Sequence, residues 1–216
     1  MNLIMMIILS FLMTQAISTH ADAQTYQITS VQVVGAGCPQ GSVSAVLAND
    51  LSAISILFDR FMVTANKGTI SAATPSLRKS CKFIFGVQVS EGYNLEATTL
   101  QYRGFAQLPG AGITANITTS GSIMNQTRFV LNKNMITSSI SNKVDNFFIE
   151  QSIFQDFKNT CQRQTKIEFE TSISLIGRSN RFTMIFPEQS ALTIDSLDAG
   201  PSSSAIELGI KLSPCH

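Results

Sequence analysis

Histidine is all but missing from this chain. One of its two copies, His20, stands just after an N-terminal apolar stretch, and the other, His216, is the last residue. A Ser-His-Asp or Cys-His arrangement needs an imidazole to move a proton near neutral pH. The body of the chain therefore cannot house the common hydrolase triads. Histidine-based zinc sites fall with them. The four cysteines, Cys38, Cys81, Cys161 and Cys215, include no C-x-x-C pair to replace them. The expectation is a protein with no metal, no cofactor and no catalytic residue of these kinds.

Tryptophan is absent, and tyrosine occurs only at Tyr26, Tyr93 and Tyr102. Most of the 14 phenylalanines fall at alternating, core-like positions. An exposed aromatic platform for sugar rings is thus poorly supplied. Charge is scarce as well: 13% of residues are Asp, Glu, Lys or Arg, and the formal net charge is +1. That is well under the usual quarter. Serine and threonine together make up about a fifth of the chain. Such a neutral, hydroxyl-rich surface offers no basic stripe to nucleic acid. It offers no polybasic patch to an anionic membrane either.

No Lys or Arg precedes the apolar run Leu3 to Ile17, so the only positive charge there is the terminal amine. The run is too short to span a bilayer, which takes roughly 20 apolar residues. Its place and length suit the h-region of an export signal, and Ala21-Asp22-Ala23 supplies an A-x-A cleavage pattern. Residues 1–23 are read as a signal peptide and 24–216 as one domain beginning at Gln24. No cysteine stands beside the cleavage site to carry a lipid, so no membrane anchor is expected after cleavage. The destination is extracellular or periplasmic. An oxidising compartment favours two disulfides among Cys38, Cys81, Cys161 and Cys215. Cys38–Cys81 with Cys161–Cys215 is the expected pairing, since it closes two independent loops of about 40 to 55 residues. The nested alternative, Cys38–Cys215 with Cys81–Cys161, stays open, because four cysteines allow three pairings.

What the chain does have is alternation of period two. It runs through Tyr26 to Val34, Cys81 to Val89, Tyr93 to Ala97 and Lys166 to Ile176. Shorter candidates are Tyr102 to Leu108, Ile113 to Thr119, Thr127 to Leu131, Phe182 to Phe186, Ala191 to Ile194 and Ala205 to Leu212. Ser42 to Ala48 and Leu51 to Phe58 form a hairpin pattern around Asn49-Asp50. Turn signals stand at Asn66-Lys67-Gly68, Glu91-Gly92, Pro109 to Gly112 and Ala199 to Pro201. This spacing indicates an all-β fold: a single antiparallel β-sandwich, jelly-roll-like, stapled by two disulfides. The stretch Asn132 to Thr160 fits less well. It is expected to be a short amphipathic helix or an irregular segment packed over an edge.

Gly35-Ala36-Gly37-Cys38-Pro39-Gln40-Gly41 has a superficial likeness to a phosphate loop. Its third glycine comes one place late for G-x-G-x-x-G, and a strand pattern follows instead of a helix. A tight turn anchored by a disulfide is the better reading. Carboxylates are the remaining catalytic candidates: Asp59, Glu96, Glu168, Glu170, Asp195 and Asp198. Glu168 and Glu170 share one strand face, and a solvated outer face accounts for them. Asp195 and Asp198 flank a turn and show no ligand series for calcium. Two N-glycosylation sequons occur, at Asn116 and Asn125, both in a Ser/Thr-rich stretch read as exposed.

Several short stretches also carry a resemblance. They are Gly37-Cys38-Pro39-Gln40-Gly41-Ser42, Leu57-Phe58-Asp59-Arg60-Phe61, Arg78-Lys79-Ser80-Cys81 and Tyr102-Arg103-Gly104-Phe105-Ala106-Gln107-Leu108, then Asp195-Ser196 and the terminal Cys215. In that order and spacing the chain resembles a family of secreted fungal and bacterial proteins catalogued as domain of unknown function 4360. The likeness covers nearly the whole chain after the signal. It departs at Lys211 to Pro214, where relatives often carry a tryptophan, at Thr118-Thr119-Ser120, where an aromatic pair is expected, and around Asn159-Thr160-Cys161. The resemblance implies secretion and a four-cysteine β domain, and it implies no activity. Two functions remain as expectations. The first is a non-enzymatic, surface-associated binding or structural protein whose partner is an extracellular glycan or cell-surface component. The second is a carboxylate-dependent glycan hydrolase, which needs two carboxylates roughly 5–9 Å apart.

Overall fold

The computed structural model describes residues 25–59, 61–66, 76–108, 113–123, 127–136, 144–153, 161–177, 189–194 and 206–215. These form β1 (Tyr26–Val34), β2 (Val43–Leu47), β3 (Ala53–Phe58), β4 (Phe61–Ala65), β5 (Ser76–Val89) and β6 (Tyr93–Gln107). They continue as β7 (Ile113–Ile123), β8 (Thr127–Ile136), β9 (Val144–Ser152), β10 (Gln164–Gly177), β11 (Ser190–Ile194) and β12 (Ile206–Pro214). The fold is an all-β sandwich of two antiparallel sheets. The first has the order β1-β5-β10-β7-β8. The second has seven strands in the order β2-β3-β12-β6-β11-β4, with β9 also paired to β6.

Alternation decides what each sheet buries. Cys81, Phe83, Phe85 and Val87 of β5, Ile167, Phe169 and Ile173 of β10, and Ile113, Ala115 and Ile117 of β7 all point inward and are buried. They meet Ile54, Ile56 and Phe58, Phe61 and Val63, and Leu208 and Ile206 from the second sheet. Aromatic rings join the layers. Phe58 lies 5.0 Å from Phe61 and 5.7 Å from Phe83, and Phe83 lies 4.8 Å from Phe169. Buried hydroxyls join them too. The Tyr102 hydroxyl bonds to Thr119, whose Oγ1 is 2.8 Å from that of Thr171. Polar groups inside a core persist when they satisfy one another in this way.

Asn49-Asp50 turns the β2–β3 hairpin as expected. The Asp50 carboxylate accepts from the Ser52 amide at 3.0 Å and from its hydroxyl at 2.6 Å, closing an Asx turn. Strand β6 is longer than the two separate runs the sequence suggested. Its inward phase shifts between Ala97 and Leu100, because Gly209 pairs with Thr99 but Ile210 pairs with Ala97. One extra residue makes a bulge, and the strand continues through it. That phase break hid a single 15-residue strand. Strand β4 had no sequence expectation.

The expected helix or irregular segment within Asn132 to Thr160 is corrected over its described residues, while 137–143 and 154–160 lie outside them. Residues Val144–Ser152 are strand β9, antiparallel to β6 from Thr99 to Gln107. Strand β8 also runs on past Leu131 to Ile136. The candidate strand Phe182 to Phe186 and the turns Pro109 to Gly112 and Ala199 to Pro201 lie outside the described residues.

The second sheet contains a split that matters for its outward face. Strand β12 pairs with β6 up to Tyr102, and β11 pairs with β6 from Gly104 onward. Because β9 pairs with both of these stretches of β6, β11 and β12 share its other edge. On their far side, β3 pairs with β12 and β4 pairs with β11. Two broken strands therefore lie side by side, and Arg103 sits opposite the break.

Candidate functional site

The Gly35 to Gly41 segment is a structural turn. The Gly37 amide donates to the Ser80 carbonyl at 2.8 Å, and the Cys38 amide donates to the Gly35 carbonyl at 3.2 Å. These N–H groups are spent within the protein and do not form a phosphate cradle. A side chain at Gly37 would meet the Phe61 ring at 2.3 Å, so glycine is required by close packing. Cys38 bonds to Cys81, with Cα atoms 5.5 Å apart. Cys161 bonds to Cys215, with Cα atoms 5.8 Å apart. The expected pairing is the one present. The first bridge ties the turn to β5, and the second ties the start of β10 in the first sheet to the end of β12 in the second.

Among the described carboxylates, Glu168 and Glu170 do share the outward face of β10. Glu168 receives Lys82 at 2.5 Å and Lys166 at 2.9 Å. The hydrogen bonds from Lys82, then Lys166, hold its carboxyl below the usual range. It is thus an ionised anchor and a poor proton donor. A shallow groove of about 240 Å³ lies here, lined by Lys82, Ser120, Ser122, Glu168 and Glu170. Two residues along one strand set the carboxylate-bearing backbones about 6.7 Å apart. Glu96 lies on another strand and accepts from the Ser213 hydroxyl. Asp59 is exposed at the end of β3, where its amide donates to the Ser42 carbonyl at 2.9 Å. Asp195 and Asp198 lie outside the described residues. Among the described residues, no three of His, Cys, Asp and Glu gather where a metal ion could be held.

A second groove, about 380 Å³, opens between the edges of β1 and β2. Val31, Val33, Val43 and Ala45 line it, and no titratable group does. The sequon residue Asn116, expected to be exposed, is half-buried. It sits in the middle of β7 between Ser174 of β10 and Asn134 of β8, with its Oδ1 out of solvent. Asn125 lies outside the described residues.

The outward face of β6 and β9 has a different chemistry. Phe148 projects from β9 with 55% of its surface exposed. Its register partner on β6 is Arg103, whose guanidinium carbon stands 5.3 Å from the ring centroid. One row away, Gln101 donates to Glu150 at 3.1 Å. On the other side, Phe105 pairs with Asn146 of β9 and with Thr193 of β11, and Thr193 pairs with Met62 of β4. Met62 is 40% exposed. Gly104, on β6 between β9 and β11, leaves no room for a side chain, since one there would meet the Thr193 carbonyl at 2.1 Å and the Phe147 ring at 2.6 Å. The arrangement combines a flat apolar ring, a stacked guanidinium and an amide–carboxylate pair on one sheet face. It can pack against an apolar surface while exchanging hydrogen bonds at its rim.

Sequence reasoning missed this face. It discounted exposed aromatics and left β9 without a strand phase. A signal was present: Asn146, Phe148 and Glu150 alternate with Phe147 and Ile149, so Phe148 is the apolar residue in the polar phase.

Two antiparallel sheets stapled by two disulfides, a pairing that fits an extracellular location, define a disulfide-bonded β-sandwich. Residues 24–202 match the family described as Domain of unknown function (DUF4360), and the chain belongs to that family. An uncharacterized secreted protein of Arthroderma benhamiae is 30% identical over 87 residues, covering 40% of this chain and 34% of that protein. The chain thus matches about a third of that relative's length. Among solved structures, TmCBM61 in complex with beta-1,4-galactotriose overlaps 87% of this chain and 90% of its own, at 10% identity and a TM-score of 0.26. The enzymatically active domain of bacteriophage CBA120 tailspike protein 4 overlaps 71% of this chain and 18% of its own, at 9% identity and a TM-score of 0.21. Overlaps at these scores carry no functional argument.

Proposed function

We propose that the protein is exported, loses residues 1–23, and binds an extracellular glycan without cleaving it. The binding surface is the outward face of β9, β6, β11 and β4. The observation that carries this reading is Phe148, which is 55% exposed and has Arg103 over its ring. Covering a phenylalanine ring is worth roughly 2 kcal/mol, and this one is left in water. A sugar ring presents an apolar C–H face edged by hydroxyls. The Phe148 ring would take the face, and Arg103, Gln101 and Glu150 would take the edge. Retention on polysaccharide gels and arrays tests the reading. Wild type should be retained by at least one polysaccharide, and Phe148→Ala should weaken retention about 30-fold, the cost of a binding hot spot. Export is tested by N-terminal sequencing of protein from the medium. The chain should begin at Gln24, and an intact Met1 in a cytosolic fraction would overturn it.

A second reading has its own observation, the groove that Glu168 and Glu170 line together. A hydrolase there would need Glu170 as the proton donor, because two lysines hold Glu168 ionised. Release of reducing ends by wild type and its loss in Glu170→Gln would establish that reading against the binding one.

A further inference from the structure

Resting on the glycan-binding reading, we infer that the site takes a linear, uncharged glycan laid across the strands, with one sugar over each strand of β9, β6, β11 and β4. The register supplies the track. Asn146, Phe105, Thr193 and Met62 are successive partners on those four strands, so they form one straight row. Neighbouring strands are about 4.8 Å apart, which makes the row about 14 Å long. An extended pyranose chain advances by nearly one such spacing per sugar. The row therefore matches such a chain in step.

Both ends of the track are marked by exposed apolar groups. Phe148 stands beside the β9 end, and Met62 forms the β4 end. Along the row there is no charged side chain: amide, phenyl, hydroxyl and thioether follow one another. Among the described side chains the nearest charges lie one row away, where Arg103 stacks on Phe148 and Glu150 accepts from Gln101. A uronate or sulfated chain would lack a partner for each repeat, so a neutral chain is the complement. The split in the second sheet limits the adjacent row. No described residue of β11 or β12 stands opposite Arg103, since Ile194 pairs with Gly104 and Ile206 with Tyr102. The Phe148–Arg103 row therefore has only two described members, and the four-strand row beside it carries the length.

Chain length is the test. Cello-, manno- and galacto-oligosaccharides from monosaccharide to hexasaccharide are titrated calorimetrically into wild type, Phe148→Ala and Met62→Ala, with oligogalacturonides as the charged series. In one neutral series, affinity should rise about tenfold from disaccharide to tetrasaccharide and then level off. Met62→Ala should lower tetrasaccharide affinity about fivefold and disaccharide affinity less than about twofold, whereas Phe148→Ala should lower both. Both side chains project from the sheet, so melting temperatures of the variants check that they are folded. Phe148-dependent binding with no dependence on length would overturn the cross-strand track and leave the glycan reading standing. Binding confined to the oligogalacturonides would overturn the neutral ligand. No binding to any series, with a Phe148-dependent self-association in sedimentation, would overturn both and make the face a contact between copies of this chain.

Discussion

Phe169 and Phe148 are the same residue type, one on the inner face of the first sheet and one on the outer face of the second. Phe169 points in from the first sheet, is 1% exposed, and packs 4.8 Å from Phe83. Phe148 points out from the second sheet, is 55% exposed, and touches Arg103. The outward face of the first sheet shows what this chain does with a solvated surface. In its groove Lys82 and Lys166 satisfy Glu168, and Ser120, Ser122 and Glu170 stand beside it. Against that example, Phe148 leaves an apolar ring in water with Arg103 stacked on it. Stability accounts for the one ring, and the proposed ligand would account for the other.

The comparison can be broken by truncating each ring. Phe169→Ala removes a fully buried side chain from the aromatic cluster that joins the sheets. It should cost about 4 kcal/mol in urea unfolding, the usual figure for a core phenylalanine. Phe148→Ala should stay within about 0.5 kcal/mol of wild type, as surface changes do. Equal losses in the two variants would mean that Phe148 is part of the core after all, and the proposed site would fall. A smaller effect sharpens the contrast. Arg103 sits over the Phe148 ring, an exposed cation–π contact worth about 0.5–1 kcal/mol. Arg103→Ala should weaken glycan retention about threefold to fivefold and leave the melting temperature nearly unchanged.

Much of this was legible in the residues. Period-two alternation located β1, β5 and β10, and Asn49-Asp50 marked its hairpin. Four widely spaced cysteines indicated two bridges, and of the pairings left open the favoured one is the one that the structure has. The failures share a cause. Alternation marks a strand only while its phase holds and one face is plainly apolar. At Ala97 to Leu100 a bulge shifts the phase, so β6 looked like two strands. At Val144 to Ser152 the outward position carries Phe148 beside the inward Phe147, so the two faces could not be told apart and a helix was as good a reading. The residue that erased the pattern is the one that carries the candidate site. The row Asn146, Phe105, Thr193 and Met62 was not legible at all, because it depends on the pairing of four strands far apart in sequence.

The smallest effect lies on the first sheet and has a definite pH dependence. Hydrogen bonds from Lys82 and Lys166 lower the Glu168 carboxyl in the folded protein. A group whose folded pKa is depressed adds stability above its unfolded value, and that stability is lost as pH falls through the folded value. Wild type should therefore exceed Glu168→Gln in stability at neutral pH, and the gap should begin to close below about pH 4.3, the ordinary glutamate value. The two lysines are more than 40% exposed, so the gap is small, about 0.5 kcal/mol. It should shrink further in molar salt, where the screening length falls to about 3 Å. Glycan retention should not follow it, because the pair lies on the opposite side of the sandwich from Phe148. Retention that changed with Glu168→Gln would show that the two outward faces are not independent, and it would move the search for the ligand to the Glu168–Glu170 groove.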